Sequence, residues 1–140
     1  MEDNSDSFAE MNPNVSRETI DQLKDYRELI INEKSNLISN NDKKSLWIRH
    51  FHDSMRIIDL FSLKNSQIID VGTGAGLPGI PISLCLKNSD NQVYLCESKK
   101  KKIDFLAKCK EKLKLTNIEI IADRVENIKN KKFDYVIGRA

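Results

Sequence analysis

Four of the chain's five glycines fall between Gly72 and Gly79, in the stretch IIDVGTGAGLPG at positions 68–79. Glycine tolerates positive φ and carries no Cβ, so such a cluster lets the backbone turn sharply and approach a ligand closely. A plain β-turn needs one or two. The preceding run of Ile68, Ile69 and Val71 has the β-branched bias of a buried parallel strand, and Ile80 to about Leu86 reads as a helix with Pro81 in its first turn. A glycine-rich loop joining a strand to its helix lies at the carboxyl edge of an α/β sheet, where ligands of such folds bind.

The downstream sequence repeats this unit. Val93–Cys96 reads as a second strand, Lys99–Lys114 as a helix with Ile103, Leu106, Cys109 and Leu113 inward, Ile118–Ile121 as a third strand, and Phe133–Ile137 as a fourth. Strands alternating with helices predict an α/β fold with a parallel, Rossmann-like sheet and right-handed crossovers. Upstream, Ser16 opens a weak capping box. Ile20, Leu23, Tyr26, Ile30 and Ile31 then predict an amphipathic helix over Glu18–Lys34. Asn36–Asp42 reads as a loop. A second helix over Lys44–Phe61 follows, with Ile48, Phe51, Met55 and Ile58 on one face and Arg49, His50, Asp53 and Arg56 on the other. Asp53 and Arg49 are spaced as an i,i+4 pair, and His50 and His52 are expected to pack rather than to catalyse. Residues 1–15 lack an apolar period and are expected to be a disordered tail. That leaves one domain over 16–140, with N-terminal helices in 16–64 and a partial sheet core in 65–140.

The chain has 140 residues and a net charge of +2, but its lysines cluster at Lys99–Lys102 and Lys129–Lys132. The first run opens a helix, where positive charge opposes the dipole, and this favours contact with phosphate. Cys85, Cys96 and Cys109 form no CxxC, so no disulfide framework and no metal site is expected. With no apolar leader and no membrane-length stretch, the reading is a soluble, cytoplasmic protein without a membrane partner.

The loop spacing is Gly72-x-Gly74-x-Gly76, with Leu77 where a dinucleotide fingerprint has its third glycine, and no Gly-Lys-Ser/Thr follows. Asp70, at the strand end, would repel a pyrophosphate and attract a sulfonium, which points to S-adenosyl-L-methionine. Glu97 ends the second strand, roughly twenty residues further on, where a carboxylate takes both ribose hydroxyls. Asp123–Glu126 follows the third strand, with Val125 offering an apolar face to an adenine, or Asp123 and Glu126 forming a helix cap. Arg139, just past the fourth strand, is placed for the cofactor or an RNA phosphate.

RHFHDS (49–54), DVGTGAGLPGIP (70–81), RVE (124–126) and FDYVIGRA (133–140) together resemble the bacterial small-subunit ribosomal RNA guanine-N7 methyltransferases, the glucose-inhibited division protein B family. The resemblance runs from about Val15 to the last residue. It implies a class I methyltransferase fold that uses S-adenosyl-L-methionine to methylate N7 of one guanine in 16S rRNA of the small ribosomal subunit. By that likeness Gly72, Leu77, Val125, Glu126 and Arg139 contact the cofactor, beside Asp70, Gly74, Gly76 and Glu97 from the residues themselves. Glu97 stands where the family usually has Asp. Family members also continue with further strands, so the resemblance implies a C-terminally truncated sheet in which the fourth strand is an exposed edge. No catalytic residue is singled out: N7 attack needs no base, and neither the Pro-Cys pair of C5-pyrimidine enzymes nor the Asn/Asp-Pro-Pro-aromatic motif of amine methylation is present. No DNA partner is expected. The rival readings are a cofactor-binding fragment without turnover, a small-molecule methyltransferase, and an interaction half whose sheet is completed by a second chain.

Overall fold

The sheet is built from four short runs rich in Ile, Val and Tyr: β1 (Gln67–Val71), β2 (Gln92–Glu97), β3 (Ile118–Ala122) and β4 (Tyr135–Ile137). The structure is a computed structural model and describes residues 1–60 and 64–139. All pairings are parallel and the order is β3-β2-β1-β4. The chain therefore moves outward from β1 through β2 to β3, then returns to the other side of β1 for β4. That reversal makes the carboxyl end of β1 the switch point, where the strand connections diverge and leave a crevice. Asp70 sits there, in register with Leu95 of β2 and Ile137 of β4.

Alternation along the strands divides the core. Ile68, Val93 and Leu95 pack into the large core with the helices, while Ile69, Tyr94 and Cys96 face the other way and meet Ile128 and Phe133. The helices beside the sheet are α5 (Gly79–Cys85) and α6 (Lys100–Lys112). The strands and both helices lie within one or two residues of the sequence reading. At the β4 edge Val136 is 70% exposed.

The N-terminal region departs from expectation. Residues 5–11 are not disordered: Ser5–Met11 form a helix, α1, whose cap Asn4 accepts from the Ser7 N–H at 2.8 Å. Its single aromatic residue, Phe8, is fully buried, with its ring centroid 5.5 Å from that of Trp47. Asp3 accepts from the Ile48 N–H at 2.7 Å and Asn12 bonds His52. Of this helix's apolar residues only Phe8 is buried, and seven residues are too few to show a period, so these long-range anchors left no mark that a pattern could register.

In α2 (Arg17–Asn32), Ser16 caps through the Thr19 N–H as its sequence suggests, and Leu23, Tyr26 and Ile30 face inward. A short α3 (Asn40–Lys43) occupies part of the expected loop. The expected helix over Lys44–Phe61 begins instead as a π-helical stretch, Leu46–Phe51, that continues into α4 (His52–Asp59); its last residue, Phe61, lies outside the described residues. The wider π turn rotates the inward face. Leu46, Trp47, His50 and Phe51 are buried where Ile48 was expected, so His50 lies inside rather than on the outer face. Arg49 and Asp53 are both exposed, and the ion pair expected from their spacing does not form.

If α1 anchors the helical layer, Phe8→Ala should destabilise the protein by about 3–5 kcal/mol, lowering the thermal midpoint by roughly 10 °C. A loose tail would leave the melting curve unchanged.

Candidate functional site: a glycine loop between two clefts

Asp70 is fully buried at the end of β1. Its Oδ2 accepts from the Thr73 hydroxyl at 2.6 Å and from the Gly79 N–H at 2.8 Å, so one carboxylate oxygen holds both ends of the loop. Its Oδ1 has no hydrogen-bond partner among the described residues. Burial pushes the carboxyl up to about 7, against the lowering effects of Thr73, Gly79 and the Arg139 guanidinium. Two other contacts fix the loop: the Thr73 N–H donates to the Cys96 carbonyl at 3.1 Å, and the Tyr26 hydroxyl of α2 donates to the Ala75 carbonyl at 2.7 Å.

The glycines serve two purposes. At Gly76 a Cβ would stand 2.4 Å from Ile80 Cδ1, and at Gly79 one would stand 2.3 Å from Leu95 Cδ2 and 2.8 Å from Asp70 Oδ2. Gly79 thus lets α5 close onto the sheet, and Gly76 lets the loop pack against Ile80 and Tyr26. Gly72 and Gly74 have φ of +65° and +61°, yet a Cβ on either would meet nothing within 4 Å. Their backbone faces open space.

Glu97, at the end of β2, is buried beside that space. Its Oε1 accepts from the Gly74 N–H at 3.0 Å, and its Oε2 from the Ser98 and Lys99 N–H groups at 2.9 and 3.0 Å. Burial raises its pKa, but the three backbone donors outweigh it and hold the group below the ordinary carboxylate range, so it is ionised at neutral pH. Of the carboxylate's roughly four acceptor sites these take three, leaving one on Oε1. A cleft of about 350 Å³ opens here, lined by Gly72, Glu97, Ser98, Val125 and Glu126 among others. Val125 and Glu126 begin a 3-10 turn after β3, and Val125 is 41% exposed. Asp123 accepts from the Arg124 N–H and Asn127 Nδ2, so the capping box with Glu126 is not made.

The structure thus gathers Gly72, Glu97, Val125 and Glu126 around one cleft, with Gly74 at its edge through Glu97. Asp70, Gly76 and Leu77 are buried beneath the loop; Asp70 shapes it and does not face the cleft. Arg139 lines a second cleft, of about 360 Å³, with His50, Asp53, Arg56 and Pro78. Sequence reasoning missed Thr73 and Tyr26. Thr73 had a signal, a hydroxyl three residues after a strand-end acid; Tyr26 had none, because its partner is a backbone carbonyl in a distant segment.

The parallel order, the switch-point loop and the acid at the end of β2 define the class I fold of S-adenosyl-L-methionine-dependent methyltransferases. A solved SAM-dependent methyltransferase from Aquifex aeolicus shares it, with a TM-score of 0.53 and 24% identity over 61% of this chain and 47% of that one. The family model for rRNA small subunit methyltransferase G, GidB, matches residues 19–140, and the chain belongs to that family. Proteins named ribosomal RNA small subunit methyltransferase G are 37% identical in Listeria welshimeri, over 96% of this chain and 59% of that protein, and 38% identical in Orientia tsutsugamushi, over 95% and 66%. The chain therefore spans about three fifths to two thirds of the length of these relatives. Among the described residues no helix is long and apolar enough to cross a membrane.

The raised pKa of Asp70 has a definite sign in stability. Between about pH 4 and 7 the folded protein holds a proton that the unfolded chain releases, so this group's contribution is fully present at low pH and is lost as pH rises through 7. Asp70→Asn should remove that component. Denaturant titrations at pH 5 and pH 8 should show a smaller fall in stability with rising pH in the variant, and equal falls would refute the assignment.

Proposed function

We propose that the chain binds S-adenosyl-L-methionine in the Gly72–Glu97–Val125 cleft and methylates N7 of a guanine in 16S rRNA of the small ribosomal subunit. The observation that carries the reading is the juxtaposition of an ionised carboxylate, Glu97, and an exposed apolar residue, Val125, across an open glycine backbone at the switch point. The residues fit the cofactor's chemistry. The acceptor site left on Glu97 Oε1 suits a ribose hydroxyl, Val125 suits the face of a purine, and the space above Gly72 and Gly74, which any Cβ would enter, admits a ligand against the backbone. The relatives' names support the ribosomal RNA substrate.

When bound, the cofactor supplies an electrophilic methyl group on a sulfonium. Guanine N7 carries an in-plane lone pair and no proton, so the protein's residues have no proton to remove. Their task is to position: Glu97 and Val125 fix the nucleoside part, and the Asp70–Thr73–Gly79 contacts hold the loop rigid, which supports catalysis by orientation. Lys99, at the edge of the same cleft, and the lysines that follow it provide an electrostatic footing for an RNA backbone.

Calorimetric titration with S-adenosylhomocysteine tests the cofactor site. Val125→Asp, at an exposed position, should leave the melting temperature unchanged and weaken binding about tenfold, or ~1.4 kcal/mol. Unaltered affinity would move the site elsewhere. Transfer of labelled methyl from the cofactor to small-subunit RNA, with the modified atom identified by mass spectrometry, tests the substrate.

A further inference from the structure

The cleft on the other side of the glycine loop shares no lining residue with the Gly72–Glu97–Val125 cleft. Its wall is one face of the π-helical stretch and α4, where His50, Asp53, Ile57 and Leu60 recur at steps of three and four; Pro78 closes it from the loop and Arg139 from the end of β4. His50 is withdrawn, buried, and bonded through Nε2 to Asp42 Oδ1 at 2.9 Å. Burial and the Arg139 guanidinium lower its pKa, so it is neutral. Arg139 acts electrostatically on Asp70 beneath the loop as well as on His50, which places it between the buried end of β1 and the helical wall. The cleft thus presents one exposed acid, Asp53, two exposed arginines, Arg56 and Arg139, and apolar surface from Ile57, Leu60 and Pro78. Asp53 makes no ion pair within the described residues.

We propose that this cleft holds the acceptor guanine, with Asp53 accepting from the base's N1–H and N2–H and with Arg56 and Arg139 meeting the nucleotide's phosphate. The inference rests on the methyltransferase reading above. Among the nucleobases only guanine offers two adjacent N–H donors matching the two oxygens of a carboxylate. Adenine and cytosine present an acceptor beside their donor, and a carboxylate has nothing to give it. The planar apolar faces of a purine suit Ile57, Leu60 and Pro78. The guanidinium forks suit phosphate oxygens, and they draw an anion into a cleft that Asp53 alone would repel. Guanine's N7 lies on the edge of the ring system away from N1 and N2. A base held at Asp53 by its N1/N2 edge therefore presents N7 outward from the helical wall, where the cleft is bounded by the glycine loop at Pro78.

The test is an NMR titration of the ¹⁵N-labelled 140-residue chain with guanosine, inosine and adenosine 5′-monophosphates. Inosine lacks only the 2-amino group. The proposal expects guanosine monophosphate to shift the Asp53, Arg56 and Arg139 signals and to bind about tenfold more tightly than inosine monophosphate. Asp53→Asn should abolish that preference, and Arg56→Ala should weaken both nucleotides alike without changing their ratio. Equal affinities for the guanine and inosine nucleotides, an unchanged preference in Asp53→Asn, or shifts confined to Gly72, Glu97 and Val125 would overturn it. The same samples are titrated with S-adenosylhomocysteine, which reads the other cleft separately. Shifts at Gly72 and Val125 without a guanine preference overturn this inference alone. A guanine preference without those shifts supports it and removes the cofactor reading.

Discussion

The site depends on one carboxylate oxygen. Asp70 Oδ2 takes the Thr73 hydroxyl at the start of the glycine loop and the Gly79 N–H at its end, fixing the five intervening residues to the end of β1. A carboxylate there is expensive to bury, and its raised pKa measures that expense. The arrangement persists because the two donors are strong and because Gly79 has no Cβ to keep α5 away from the carboxylate. The loop's share of both clefts takes its position from this anchor: Gly72 and Gly74 flank the bonded Thr73, and Pro78 precedes the bonded Gly79.

A second support comes from far away in sequence. Phe8 packs on Trp47, Trp47 meets Phe51 edge-on with centroids 5.1 Å apart, Phe51 stacks on Tyr26, and the Tyr26 hydroxyl ends the series on the Ala75 carbonyl. The N-terminal helices are thus a continuous packed layer behind the loop. Complete burial and a polar partner at one end are the usual terms on which a core accepts tyrosine. The same layer supplies the wall of the second cleft, so the residues that support the loop and those that line this cleft belong to one body.

The sheet was readable from the sequence because its signals are local. β-branched runs, a glycine cluster and a helical period of apolar residues each act over a few positions, and all four strands and both helices that follow them lie within one or two residues of where those signals put them. Glu97 was readable for the same reason, as an acid ending the second strand of a repeating unit. What escaped was set by contacts across the fold. Phe8 is the one buried side chain of a seven-residue helix, Asp3 works by satisfying the Ile48 N–H, and the π turn moves Ile48 outward and His50 inward without any glycine or proline to mark it. Asp70 shows a finer limit. Its position at the strand end is plain in the sequence, but whether it faces a ligand or the protein depends on Thr73 and Gly79, and the structure turns it inward.

The two clefts differ in charge in a way that fits the proposed reaction. Glu97 and Glu126 make the first suited to a ligand that brings hydroxyls and positive charge; Arg56 and Arg139 make the second suited to an anion, with Asp53 as its one acid. Transfer of a methyl from a sulfonium to a neutral ring nitrogen moves positive charge from the first ligand to the second without releasing a proton. A site for such a step needs no titrating group between its reactants, and here the segment between the clefts is glycine backbone, Leu77 and Pro78, with the one titrating carboxyl buried beneath. His50, held neutral and bonded through Nε2 to Asp42, backs the wall of the second cleft and adds no charge to it.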